Sequence, residues 1–174
     1  MPLIDYGNGN PAIADDAWTH VADDAALPPD RPATISLERW KAERDGLSGR
    51  NLPLGVRLES HERIEAILPD LPRLALIALD FPNLNDGRHF TTARLLRERY
   101  RFRGQLRATG QVLRDQIDLM RRCGFDAFEL APGKDGASAA AAFEEISVVY
   151  QPAADARPTA AQLRNRPPEQ AVAG

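Results

Sequence analysis

The chain has 174 residues, 43% of them apolar, 27% charged and 6% aromatic, a composition that buries a core and excludes wholesale disorder. Its formal net charge of −3 gives no overall field to hold a polyanion, and so few rings count against a stacking platform for single-stranded nucleic acid. One cysteine excludes an internal disulfide, a CxxC redox pair and a self-contained iron–sulfur or structural zinc site, and a reducing compartment fits best.

Residues 1–16 hold Gly7, Asn8, Gly9, Asn10 and Pro11, and residues 151–174 hold Pro152, Pro158, Pro167 and Pro168 among alanines and polar residues. Such compositions do not offset chain entropy by burial, so both segments are expected to be flexible tails around one α/β domain at 17–150. The start, with Asp5, Asp15 and Asp16, is unlike a signal peptide. The longest aliphatic run, Leu74 to Leu79, has six residues, against about 20 for a bilayer span. A soluble cytoplasmic protein is expected, without membrane or nucleic-acid partners.

Between the tails, strand and helix patterns alternate. Trp18 to Val21 reads as an edge strand, and Thr34 to Leu37 as a short strand leading into a helix over Glu38 to Asp45, where Trp40 stands on an otherwise charged surface. After a Gly- and Pro-containing link at Gly46 to Pro53, Gly55 to Glu59 is a strand. Ser60 then caps a predicted helix with Ile64, Ile67 and Leu68 at helical spacing, stopped by Pro69 and Pro72. Arg73 to Asp80 is apolar on both faces, as a central strand of a parallel sheet must be. A helix from about Arg88 to Arg101 stripes Phe90, Ala93, Leu96 and Tyr100.

Gln105 to Thr109 is the next strand, followed by a predicted helix from Val112 to Cys123, with Leu113, Ile117 and Met120 inward, an Arg114–Asp118 pair at i,i+4 and Gly124 just past its end. Asp126 to Leu130 is the last strand, and a helix from about Ser138 to Tyr150 buries Phe143, Ile146 and Val149. Consecutive βα units with short loops mean a parallel sheet covered by helices. At this length the sheet is either half of a (βα)8 barrel or an open doubly wound sheet, since a full barrel takes about 200 residues or more. A half barrel leaves open edges, and a homodimer is the expectation that goes with it.

Ligands bind at the carboxyl ends of parallel strands in either architecture. Glu59, Asp80, Thr109 and Glu129 stand there, with Asp80 and Glu129 as candidate acid/base groups and His89 nearby as a third. Spacing fixes no metal geometry among these carboxylates, and no metal is assigned. In the loop after Asp80, Asp86 can cap the next helix, Gly87 lets backbone N–H groups approach a ligand, and Arg88 adds a guanidinium, a set suited to a small oxyanion. The plainer alternative pairs Arg88 with Asp86 or Asp80.

Arg88 to Arg122 contains ten arginines against Glu98, Asp115 and Asp118. Arg94, Arg97, Arg107 and Arg114 therefore join Arg88 as candidates for binding an anion or an acidic partner, unless the chain's own acids neutralise them. Cys123, at a helix C-terminus, reads as a buried structural thiol, and His20 and His61 have no metal spacing. A P-loop, a GxGxxG after a strand and a serine nucleophile elbow are all missing from the sequence, and no cofactor is assigned.

FPxxxDGR (Phe81 to Arg88), ARLLRERY (Ala93 to Tyr100), GxLRAxG (Gly104 to Gly110), RDQ (Arg114 to Gln116) and RCGFDAFEL (Arg122 to Leu130) follow one another in order. Together they resemble a bacterial family of unknown function often labelled an oxidoreductase involved in sulfite reduction, whose members are encoded beside assimilatory sulfite reductase. The resemblance covers about residues 15–150. It implies a place in sulfate assimilation; with no flavin, nicotinamide, sirohaem or cluster motif in the sequence, the expected role is an accessory protein that assists or docks sulfite reductase or its electron donor through the arginine-rich half. A small (βα)-type enzyme acting on an anion at the strand ends is the alternative that the residues themselves leave open.

Overall fold

The structure is a computed structural model and describes residues 2–83, 85–155 and 157–165. Its strands are β1 (Leu3–Asp5), β2 (Ala12–Ala14), β3 (Thr19–His20), β4 (Ala33–Ser36), β5 (Leu54–Leu58), β6 (Leu76–Phe81), β7 (Gln105–Gly110) and β8 (Ala127–Glu129). Its helices are α1 (Leu37–Glu43), α2 (Arg88–Arg94), α3 (Ile117–Arg122), α4 (Gly136–Ala141) and α5 (Ala160–Arg164). All eight strands join one sheet in the order β2-β1-β8-β7-β6-β5-β4-β3. From β3 to β8 the neighbours are sequential and parallel, whereas β1 runs antiparallel to both β8 and β2.

Sequential parallel order with crossovers of one hand puts the connecting helices on a single face. A doubly wound sheet reverses its strand order partway and takes helices on both faces, so the half barrel is the architecture adopted. Period-two alternation sorts the side chains accordingly. Ile4, Ile35, Val56, Ile77, Leu79, Leu106, Ala108 and Phe128 are buried in the core with Trp40, Leu96, Ile117 and Met120. Thr34, Arg57, Ala78, Asp80, Arg107, Thr109 and Glu129 alternate with them on the concave face. That face is largely polar.

The sheet is strongly curled. Eight strands laid flat would set the outermost two about 34 Å apart, at about 4.8 Å per spacing. Only Asp15, Asp16, Ala17 and Trp18 join the end of β2 to the start of β3, a reach of at most about 18 Å. The edges must therefore approach each other, and residues 15–18 form a strap across the concave face.

Several local expectations are corrected. Residues 3–5 and 12–14 are strands where composition indicates a tail, because two three-residue strands vanish in an average over sixteen residues. Leu3 and Ile4 are buried, and Gly9 donates to the Tyr6 carbonyl at 2.8 Å to turn the hairpin. The helix expected after Ser60 is two 3-10 segments, Ile64–Ala66 and Leu68–Arg73, since Pro69 and Pro72 supply no N–H. Ile64 and Ile67 still reach the core, three residues apart, as 3-10 geometry allows.

Trp40 is 1% exposed, inside the core and not on a charged surface. The helix expected from Val112 starts as a 3-10 turn, Arg114–Gln116, before α3. Leu113, extended at φ −107° and ψ 150°, precedes that turn; Gly110, which ends β7, has φ +85°, a left-handed conformation, and a Cβ there would lie 2.4 Å from the Phe81 carbonyl oxygen. Ile146 is exposed at 51% because α4 and the 3-10 turn Ala142–Glu144 end before it, whereas Phe143 and Val149 are buried. Toward the C-terminus, Val149 bridges Thr159, and Thr159 and Gln162 form a capping box on α5. The rest of the expected C-terminal tail, 166–174, lies outside the described residues.

Candidate functional site

Two concavities flank the parallel strands. The first lies on the concave face under the strap, a cavity of about 160 Å³ with Asp16, Trp18, His20, Arg57, Arg107 and Glu129 in its lining. Ala78 is its floor. In register across the sheet, Ser36, Arg57, Ala78, Arg107 and Ala127 form one row, so the small Ala78 opens a gap between two arginines.

Charges around this cavity are mostly matched. Arg107 donates two bonds to Asp16, at 2.7 and 3.0 Å, which holds the strap down. Asp80, at the end of β6, accepts from Arg57 and from the Thr109 hydroxyl at 3.0 Å, so the expected acid/base group sits in an ion pair. The Glu129 side chain, next to the cavity, has no hydrogen bond or ion pair among the described residues. The His20 ring lies 3.2 Å from the Thr34 hydroxyl through Nδ1, and burial together with Arg57 pushes its pKa down.

His89 does not reach this cavity. It is 1% exposed, packs edge-on against Phe81, and neither ring nitrogen makes a well-formed hydrogen bond. Burial lowers its pKa, which keeps the ring neutral. Asp86, Gly87 and Arg88 form a small closed cluster on the rim. Arg88 donates to Asp86 at 2.9 and 2.6 Å and to Ser60 at 3.1 Å, and Arg88 first, with the Ser60 hydroxyl beside it, holds the Asp86 carboxyl far below the usual carboxylate range. Gly87 occupies the N-cap position, and Asp86 accepts from the Arg88 backbone N–H at 3.3 Å. Among the described residues, no three His, Cys, Asp or Glu side chains come together as metal ligands.

The arginines expected at one site are dispersed. Arg94 pairs with Glu98, Arg97 with Asp126, Arg107 with Asp16, and Arg114 with Glu145 instead of Asp118. Asp118 pairs with Arg121, and Asp155 with Arg122. Of the ten arginines in Arg88 to Arg122, only Arg99, Arg101 and Arg103 lack a carboxylate partner among the described residues. All three are exposed, on the turn between the π-helical end of α2, Leu95–Arg99, and the start of β7.

That turn borders the second concavity, an open groove of about 990 Å³ at the amino ends of β7 and β8. Tyr6, Arg101, Phe102, Arg103, Gly104 and Asp126 are in its lining. Arg101 has φ +56°. It takes the left-handed position at a helix end where glycine is usual, and the Phe102 N–H closes the turn on the Leu96 carbonyl at 2.9 Å. Arg99 stacks over Tyr100, 5.6 Å from its centroid.

Nothing in the local sequence assigns Arg57, Asp16 and Trp18 to a site, or Arg101 and Arg103 to a groove. Arg57 alone carries a visible signal, as the one charged residue in an otherwise apolar strand, LGVRL. The pairing partners were not visible, because Asp16 and Arg107 stand 91 residues apart.

Among comparisons with known proteins, the model of a bacterial protein family of unknown function (DUF934) matches residues 55–160. No curated protein matches the chain. No helix among the described residues is long and apolar enough to cross a membrane.

Proposed function

We propose that this chain, which belongs to DUF934, a bacterial family of unknown function, is a non-catalytic accessory protein that docks an acidic partner at the groove beside Arg99, Arg101 and Arg103. The observation that carries this reading is selective neutralisation. Among the described residues, seven of the ten arginines from Arg88 to Arg122 are paired with a carboxylate, and the three that are not stand together on one exposed turn. An unpaired cationic cluster raises the on-rate for an acidic surface and selects against basic ones. The groove behind it gives a partner side chain somewhere to enter.

Assimilatory sulfite reductase, or the protein that delivers its electrons, is the proposed partner, on the strength of the resemblance carried by Phe81 to Leu130. The alternative of an enzyme acting on an anion at the strand ends draws less support, because Asp80 and Arg88 are each engaged by a neighbour.

Purified chain and sulfite reductase, with and without the electron donor, are mixed and followed by sedimentation and by reductase turnover. A complex that weakens between about 0.05 and about 0.5 M salt is expected, and it is lost when Arg99, Arg101 and Arg103 are all replaced by Glu. No association at low salt, or full association by the triple variant, would refute the reading. In cells, a deletion strain is expected to fail on sulfate and sulfite and to grow on sulfide.

A further inference from the structure

We propose that the strapped cavity on the concave face binds a small zwitterion, its carboxylate on Arg57 and its ammonium on Glu129, as a small α-amino acid presents them. The inference is independent of the docking role, since the groove opens at the other end of the strands.

Unused hydrogen-bonding capacity defines the ligand. Arg107 spends its charge on Asp16 through two bonds. Arg57 gives one Nη to Asp80, and its Nε and other Nη have no acceptor among the described residues. Glu129 faces the same space without a donor. Thus one side of the cavity holds a guanidinium with donors to spare, and the other a carboxylate with acceptors to spare.

Net charge narrows the choice. With Asp80, the surroundings carry two guanidinium groups and three carboxylates. An inorganic dianion meets a net negative surface. A simple amine leaves Arg57 unsatisfied, and a simple carboxylate leaves Glu129 unsatisfied. A molecule bearing both groups pairs each of them, through charge-assisted hydrogen bonds that are stronger than neutral ones.

Size agrees. The cavity of about 160 Å³ equals roughly five waters at about 30 Å³ each, enough for a small amino acid. Ala78 sets the depth between the arginines, and the Asp16 to Trp18 strap covers the top.

Calorimetric titration of the full chain with glycine, L-alanine and L-serine, alongside acetate, ethylamine and sulfate, tests this. At least one of the three amino acids is expected to bind one-to-one, at least tenfold tighter than the other probes. Glu129→Gln is expected to weaken that binding at least tenfold without lowering the melting temperature, since Glu129 has no partner to lose. Ala78→Leu, which fills the floor, is expected to abolish binding in a folded protein, whereas the Arg99, Arg101 and Arg103 triple variant binds normally. The proposal is overturned if none of the amino acids binds, if acetate or sulfate binds as tightly, or if Glu129→Gln keeps full affinity.

Discussion

Arg107 reaches Asp16 across 91 residues of chain with a two-pronged hydrogen bond, 2.7 and 3.0 Å, and so ties the strap to the centre of the curled sheet. The Arg107 side chain is 5% exposed and that of Asp16 33%. Asp16→Ala leaves a buried guanidinium without its carboxylate and is expected to cost about 3 kcal/mol, the low end for breaking a buried pair because Asp16 is partly wet. For a chain of this length that lowers the melting temperature by about 6–12 °C. Asp16→Leu combined with Arg107→Met should recover part of the loss, and calorimetry of the single and double variants measures the coupling.

Asp70 anchors α1 from below. It accepts from Trp40 Nε1 at 3.0 Å, from Arg44 at 2.9 Å and from Arg73 at 3.4 Å. Burial pushes its pKa up, but the bonds from Trp40 and Arg44 outweigh that and leave it below the ordinary value. A carboxylate depressed in the fold stabilises above its unfolded pKa, and the gain is lost as pH falls toward the folded one. Asp70→Asn should therefore cost about 1–3 kcal/mol near neutrality, and its gap to the parent should narrow below about pH 4. Urea unfolding at several pH values checks both, and a constant gap would contradict the assignment.

Arg97 is a four-point clamp at the amino ends of β7 and β8. It binds the carbonyls of Gly124 at 2.9 Å, Phe102 at 2.7 Å and Gly104 at 2.9 Å, as well as the Asp126 carboxylate. Arg97→Lys keeps the charge but not the planar fork, so a loss of about 2 kcal/mol is expected in chemical denaturation. Gly124→Ala is expected to destabilise as well, because φ is +108° and a Cβ would sit 2.5 Å from Arg97 Cγ.

Arg101 stores backbone strain on the proposed docking turn. Replacement by Gly relieves the left-handed conformation and should stabilise the chain by about 1 kcal/mol. The same change removes one of three free guanidinium groups and should weaken the partner complex. Opposite signs in the melting and binding measurements are the expected outcome, and a variant both stabler and equally tight would show that Arg101 is dispensable for docking.

His89 makes the fold sensitive to mild acid. Burial lowers its pKa from the ordinary 6.5, so the unfolded chain binds the proton first. Its contribution is complete above about pH 6.5 and declines as pH falls below it. His89→Leu should unfold with a flatter pH dependence between about pH 7 and about pH 5. Identical slopes for the two proteins would refute this.

The βα repeat is legible in the residues themselves, but the choice of a half barrel over a doubly wound sheet belongs to the strand order of the folded sheet. Short apolar runs between turn-forming residues mark β5 to β8, because a strand buried against helices must be apolar on that face whatever lies beyond it. Asp80 and Glu129 are likewise placed at strand ends by counting alone. Tertiary structure alone decides whether such groups are free. Asp80 meets Arg57 and Thr109, Arg114 meets Glu145 instead of Asp118, and Glu129 meets none of the chain's charges among the described residues. A charged side chain is neutralised by whichever opposite charge the fold carries to it, and curvature, set here by the short strap between β2 and β3, carries them. The sequence by itself thus determined the order of elements and the excess of arginine. Only the folded sheet chose which arginines were consumed within it and left Arg99, Arg101 and Arg103 to face outward.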